Sequence, residues 1–433
     1  MSIELIGLLG IVVMFLLMFL RVPIAISMAV PAFIGILYLK DWKVLSTVIE
    51  TIVWNHSFSY MLTTIPMFVL MGEFLFVSGI SGELFLAFKK WFGRLRGGLA
   101  MGTVGASAIF AAASGSSIAT TGTMGVIASK EMVNSGYNKS LAGGSIIAGG
   151  SLGILIPPST MFIIYGMMSE QSIGKLLIAG IVPGILLTIL YMLTVYITVL
   201  IRPGLAPKGS ASSWGERFSS LRHVIWVLIL FVLVIGGMYI GLFGPTEAAG
   251  IGAFGAFLIV VLRRKLSWSS FIESMSRTLR TTGFLFAIML SAFLLNYFLA
   301  ITRLPLALAD FLTGTALSAG AIFILIIILY IVLGSVMDTM AMIVVTIPII
   351  LPIIQALGFD LIWFGVIIVV VVEMGLMTPP VGMSCFVLNG VSPELELSDI
   401  FKGALLFLIP IFVLITLLYF FPEIALYLPD KMW

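Results

Sequence analysis

The chain has 433 residues, of which 61% are hydrophobic and 9% charged, with a formal net charge of +3. That balance excludes a soluble globular protein and offers no basic field for a nucleic acid. The single Cys385 excludes an internal disulfide. His56 and His223 are the two imidazoles, no His/Cys/Asp/Glu group has zinc spacing, and no GxxxxGK[ST] stretch exists to bind ATP.

Apolar runs of about 18 residues or more recur, so the chain reads as a polytopic helical membrane protein. Residues 4–20 and 23–39 predict two opening helices. The first follows Glu4 with no basic region before it and no small-residue cleavage site after it, so it reads as a retained helix rather than a signal peptide. Residues 42–60, with Trp42, Trp54 and His56, are less apolar and suit the interface. Residues 63–80 predict a crossing. Residues 98–132 are rich in small residues around Ser114-Gly115-Ser116-Ser117 and read as a re-entrant hairpin of two half-length helices. Residues 141–169 hold Pro157-Pro158 in their middle. Two prolines remove two N–H donors and push the preceding residue out of the α region, so this is a broken helix. Hydrocarbon tolerates such a break only where protein or a polar cavity covers it. A crossing at 175–201 and a Pro/Gly/Ser linker at 203–221 close the first half.

The order then repeats: crossings at 223–242 and 246–262, a polar segment at 267–281 and a crossing at 283–301. A hairpin at 318–356, a broken helix at 361–390 around Pro379-Pro380 and a crossing at 401–421 complete it. A constant offset of 222 residues carries Gly153, Pro157 and Pro158 onto Gly375, Pro379 and Pro380, and Gly136 and Gly143 onto glycines as well. The fold class expected is therefore all-α, with two inverted repeats that each contain a re-entrant hairpin and a broken helix. With the N-terminus outside, Lys40, Lys43, Lys175, Arg303 and Lys431 lie outside, and the rest of the 22 Lys and Arg are cytoplasmic. The linker and the first hairpin are then cytoplasmic, and the second hairpin faces out.

Hydroxyls crowd the first hairpin: Ser114, Ser116, Ser117, Thr120 and Thr121. At a hairpin turn they suit a coordinated cation or a polar solute, against the plainer role of letting helices pack closely. Asp338, followed by Thr339 in the second hairpin, and Glu373, just before the second break, are carboxylates at membrane depth. Such groups are candidates for substrate binding or coupling, and otherwise polar anchors. Glu73 and Glu247 are weaker candidates, and Glu247 also suits the start of a helix.

Gly-Ser-Ser-x-Ala-Thr at 115–120, Pro-Pro-Ser at 157–159, Pro-Thr-Glu-Ala-Ala at 245–249, Met-Asp at 337–338 and Thr-Pro-Pro-Val-Gly at 378–382 occur in that order. Together they make the chain resemble the DctM-type large membrane subunit of the tripartite ATP-independent periplasmic (TRAP) transporters, over essentially its whole length. The resemblance implies Na⁺-driven uptake of an organic acid such as sialic acid or a C4-dicarboxylate across the bacterial inner membrane. It implies two partners, a small four-helix membrane subunit and a periplasmic substrate-binding protein. At 433 residues the chain has no room for the small subunit, which is expected as a separate polypeptide. An elevator mechanism is implied, with a scaffold of 1–62 and 222–281 and a transport domain of 63–173 and 282–395. Membrane helices at 174–202 and 396–433 and the linker at 203–221 join them.

Carried onto this sequence, the family's first Na⁺ site uses Ser114 and the backbone of Gly153, Ile156 and Pro158. The second uses Gly334, Gly375, Thr378 and Val381. No organic cofactor is implied. Two other readings compete: a stand-alone ion-coupled carboxylate carrier of similar architecture, and an intramembrane enzyme, for which the residues offer no catalytic pair.

Overall fold

The computed structural model describes residues 2–209 and 212–432. Ser210 and Ala211, inside the expected linker, and the side chain of His223 lie outside the described residues. Apart from one isolated backbone bridge between Arg96 and Lys208, regular structure among the described residues is helical.

The chain opens with α1 (Ile3–Phe19) and α2 (Ile24–Leu39), followed by α3 (Trp42–Ser57). Asp41 caps α3 by accepting the Val44 N–H at 2.8 Å. Only Leu45 of α3 is buried, and Trp42 and Trp54 are exposed, as an interfacial helix requires. A turn at Phe58–Ser59 and a 3₁₀ segment, Tyr60–Thr63, separate α3 from α4 (Thr64–Val77). Next is α5 (Ile80–Phe92), a helix absent from the sequence reading. With Glu83, Lys89 and Lys90 in 13 residues, it is too short and too charged to signal a crossing.

The first hairpin is α6 (Gly98–Ser114) and α7 (Ser117–Asn134), and the first broken helix is α8 (Lys139–Ser151) and α9 (Thr160–Ser169). After α10 (Ile173–Ala179) and α11 (Ile181–Ile201) comes α12 (Trp214–Phe231). It begins inside the stretch expected to be linker. A capping box between Ser213 and Glu216 starts it there, although Trp214 to Leu221 are too polar to look like a membrane helix. The helix runs on through a π-turn at Val232–Gly236 into α13 (Gly237–Tyr239).

In the second half, α14 (Pro245–Leu262) precedes α15 (Trp268–Thr302). The expected polar segment and crossing are here one helix of 35 residues. Between Arg280 and Phe284 the chain offers a lone Gly283 and no proline, and one glycine only weakens a helix. A short α16 (Leu304–Thr313), also unexpected, leads to the second hairpin, α17 (Ala319–Gly334) and α18 (Thr339–Ala356). The second broken helix is α19 (Leu361–Met377) and α20 (Met383–Val391); α21 (Leu397–Phe420) and α22 (Glu423–Asp430) end the chain.

The halves interlock rather than forming two lobes. From the first half, α2 packs on α15, α8 on α21 and α9 on α18. α4, placed with the hairpin segments in the sequence reading, packs mainly on α14 and α15. Close approach is built from small residues. A Cβ on Gly403 would strike the backbone of Ser140 and Gly144, so α8 and α21 meet nearly backbone to backbone.

Candidate functional site

The site grows out of the two proline breaks. In an α-helix the N–H of residue i+4 serves the carbonyl of residue i. Pro157 and Pro158 therefore deprive the carbonyls of Gly153 and Ile154 of a helical donor, and Pro379 and Pro380 do the same to Gly375 and Leu376. Both Pro–Pro peptide bonds are cis.

Each break lies against the tip of its own hairpin. The first tip turns at Gly115, whose φ of +59° is the left-handed region that glycine enters without strain. Its carbonyl accepts the Thr160 hydroxyl at 3.2 Å, and a Cβ on Gly153 would sit 2.6 Å from the Ser116 backbone. In the second half, the Val381 N–H donates to Ser335 O at 3.2 Å. A Cβ on Gly375 would sit 2.6 Å from the Gly334 Cα. Thus Gly153 and Gly375, paired by the offset, are both the points where a broken helix touches its hairpin.

The expected site residues divide by what they bond. Ser114 and Thr120 share a hydroxyl contact of 2.7 Å. Ser116 caps α7 by accepting the Ala119 N–H, and Asp338, at the same register, caps α18 by accepting the Met340 N–H at 3.0 Å. Thr339 beside it is buried. Thr378 donates its hydroxyl to Met374 O at 2.6 Å. Ile156 and Pro158 are buried at the first break. Glu373 joins the other half: its Oε1 accepts the Ser117 hydroxyl, while Oε2 has no protein partner among the described residues.

A cavity of about 690 Å³ opens beside the first tip. Ser114, Ser116, Thr123 and Thr160 line one side, Glu73 and Phe76 of α4 and Arg277 and Thr281 of α15 another, and Met340 brings in the second hairpin. Of the expected residues, the structure brings Ser114, Ser116 and the weaker candidate Glu73 into this cavity; Ser117, Thr120, Asp338, Thr339 and Glu373 do not line it. In the sequence Arg277 counts only as one more cytoplasmic charge. The signal for it was its register: Glu273 lies one turn before it, and an apolar helix starts a few residues on.

The chain matches the family model described as Tripartite ATP-independent periplasmic transporter, DctM component, over residues 11–424. It is 36% identical over 374 residues to the C4-dicarboxylate TRAP transporter large permease protein DctM of Pseudomonas aeruginosa, covering 86% of each chain. The chain belongs to that family. It is 31% identical over 428 residues to the sialic acid TRAP transporter permease protein SiaT of Haemophilus influenzae, covering 97% of this chain and 68% of that protein. The YdaH transporter of Alcanivorax borkumensis shares its fold, with a TM-score of 0.60 at 16% identity, covering 88% of this chain and 90% of that one. The TRAP large permease is an integral inner-membrane component of a transporter, not an enzyme.

Proposed function

We propose that this TRAP large permease couples Na⁺ to the import of an organic acid delivered by a periplasmic binding protein, together with a small four-helix membrane subunit. The solute named differs between relatives, C4-dicarboxylate in one and sialic acid in another. The observation that carries this reading is the cavity where a hydroxyl-lined hairpin tip, a proline break and a charged scaffold helix meet. Ligand sites of this kind, placed at broken helices, are the hallmark of ion-coupled carriers.

Na⁺ is a hard cation served by oxygen, and the breaks supply oxygen. The prolines leave the Gly153 and Leu376 carbonyls without helical donors, and Ser114 and Thr378 stand beside the two breaks. The backbone of Ile156, Pro158, Gly334, Gly375 and Val381 completes the two proposed sets. We read the motion as an elevator, the hairpins and broken helices sliding against the other helices.

The test is uptake of radiolabelled succinate and N-acetylneuraminate into proteoliposomes under a Na⁺ gradient, with each of the three components omitted in turn. Uptake should require all three and should vanish when K⁺ replaces Na⁺. Full-rate uptake by this chain alone would favour a stand-alone carrier.

A further inference from the structure

Arg277 is the only cation lining the 690 Å³ cavity among the described residues, and Glu73 the only anion. Its guanidinium bonds Glu273 Oε1 at 2.5 Å and lies 3.9 Å from Glu73 Oε2. It also stands 6.0 Å from the centre of the Phe76 ring. Half of the Arg277 side chain stays exposed, at 50%. Guanidinium presents five N–H donors in a planar fork that fits a carboxylate with two parallel hydrogen bonds. Two single contacts to glutamates leave most of that fork unused.

The Glu273 contact is an i,i+4 pair on one helix with both partners half exposed, which makes it weak and easily exchanged. Glu73 is different, because it sits on another helix and is more shielded, with 23% of its side chain exposed. Its carboxylate flanks the guanidinium on the cavity's charged wall without a hydrogen bond to it. Beside this charged wall, and apart from Ser114, which is assigned above to a cation, the cavity is lined by the hydroxyls of Ser116, Thr123 and Thr160. They suit the hydroxyl, amide or carbonyl groups of an organic acid's body.

We infer that Arg277 is the specificity-determining anchor of the cavity, binding one carboxylate of the solute in exchange for Glu273. This rests on the organic-acid reading above. Arg277 is the single cationic side chain of the lining, and a second anionic group would find no second guanidinium or ammonium there and would meet the Glu73 carboxylate. The solute class favoured is therefore an acid carried by one anionic group, with a polar, uncharged remainder.

The experiment titrates the full chain in detergent with Na⁺ and follows the thermal unfolding midpoint against succinate, monomethyl succinate and N-acetylneuraminate. A saturable rise is expected with the monoester half-saturating within about threefold of succinate. Arg277→Gln should weaken half-saturation about tenfold, the loss of a charge-assisted bond, with Arg277→Lys between it and the unaltered protein. Glu273→Gln, on the exposed face of α15, should strengthen it, because the competing carboxylate is gone. If Arg277 only pinned α15 to α4, Arg277→Gln and Glu273→Gln would lower the unliganded midpoint and leave half-saturation unchanged; that result overturns the anchor. So does the absence of any saturable rise in the unaltered protein. A monoester ten times weaker than succinate would overturn the one-anion claim. Uptake by the complete transporter, measured in parallel, separates the two levels. Uptake that persists at unchanged half-saturation in Arg277→Gln removes the anchor alone, whereas no uptake of any acid by the unaltered transporter removes the organic-acid reading.

Discussion

The first proline break is buried along its whole length, from Leu152 to Thr160, whereas at the second Pro379 and Pro380 are exposed. The local instruction is the same in both, and the surroundings decide how the freed carbonyls are served. At the buried break Ser159 donates its hydroxyl to Ile154 O at 2.5 Å, so one of the two freed carbonyls is served from within the chain. At the open break the matching residue is Val381, which has no hydroxyl and uses its N–H to hold Ser335 of the hairpin. The hairpin tips differ in the same way. The first needs the left-handed Gly115, while the corresponding Met337 turns with no positive φ. A buried break must satisfy its polar groups from protein or a bound ion, whereas an exposed one leaves them to whatever lies against that face.

The largest effect should come from the tips. Gly115→Ala places a Cβ 2.8 Å from Pro158 O, in a conformation that strains any L side chain. It should cost about 1–3 kcal/mol in backbone strain alone. Met337→Ala should cost well under that. Thermal midpoints of the two purified variants decide the matter, and equal losses would mean that the tips are not different in kind.

Ser159→Ala and Val381→Ala address the breaks themselves. The first strands a buried carbonyl, at about 1–3 kcal/mol. The second removes part of a half-buried side chain and keeps its N–H bond, so less than about 1 kcal/mol is expected. A Val381 variant as damaging as the Ser159 variant would show that the second break is also closed in the membrane.

Ser114→Ala and Thr378→Ala remove one proposed cation oxygen from each half. Each should raise the Na⁺ concentration for half-maximal uptake by roughly fivefold, the worth of about 1 kcal/mol. Uptake curves that shift for one variant alone would leave a single coupling site.

Asp338 and Ser116 share a register and a capping role, so the charge of Asp338 is what distinguishes them. Asp338→Asn keeps the cap and should change stability by no more than a few tenths of a kcal/mol, against about 1 kcal/mol for Asp338→Ala. Transport should nevertheless fall in Asp338→Asn. Unimpaired uptake would reduce Asp338 to a cap like Ser116.

What could be read in advance follows from the range of the interactions. Proline pairs and left-handed glycines act on their own neighbourhood, so both breaks and the turn of the first hairpin stand out in the sequence. The pairing of Gly153 with Gly375 is legible in the offset of 222, while their closeness to the hairpins enters only through the family resemblance. Helices α5 and α16 are hidden by length, since 13 and 10 residues do not announce a crossing. The Ser117–Glu373 bond joins residues 256 apart, and no local pattern encodes it. Arg277 is misleading for a related reason. Its charge counts equally well toward a cytoplasmic surface, and only the packing of α15 against α4 turns it into a cavity wall.

The continuity of α15 has a mechanical meaning. At 1.5 Å per residue its 35 residues extend over roughly 52 Å, against about 30 Å of hydrocarbon. The excess is a stiff lever of roughly 20 Å beyond the bilayer core, tipped by the exposed Trp268. The first half has a joint at Phe58–Thr63 in the corresponding place, so α3 is free to lie flat whatever α4 does. In the second half a lean of about 10° would carry the Trp268 end through about 3–4 Å of the headgroup layer. Because Arg277 is part of the same unbroken helix, any such lean is also a displacement of the cavity wall that Arg277 occupies.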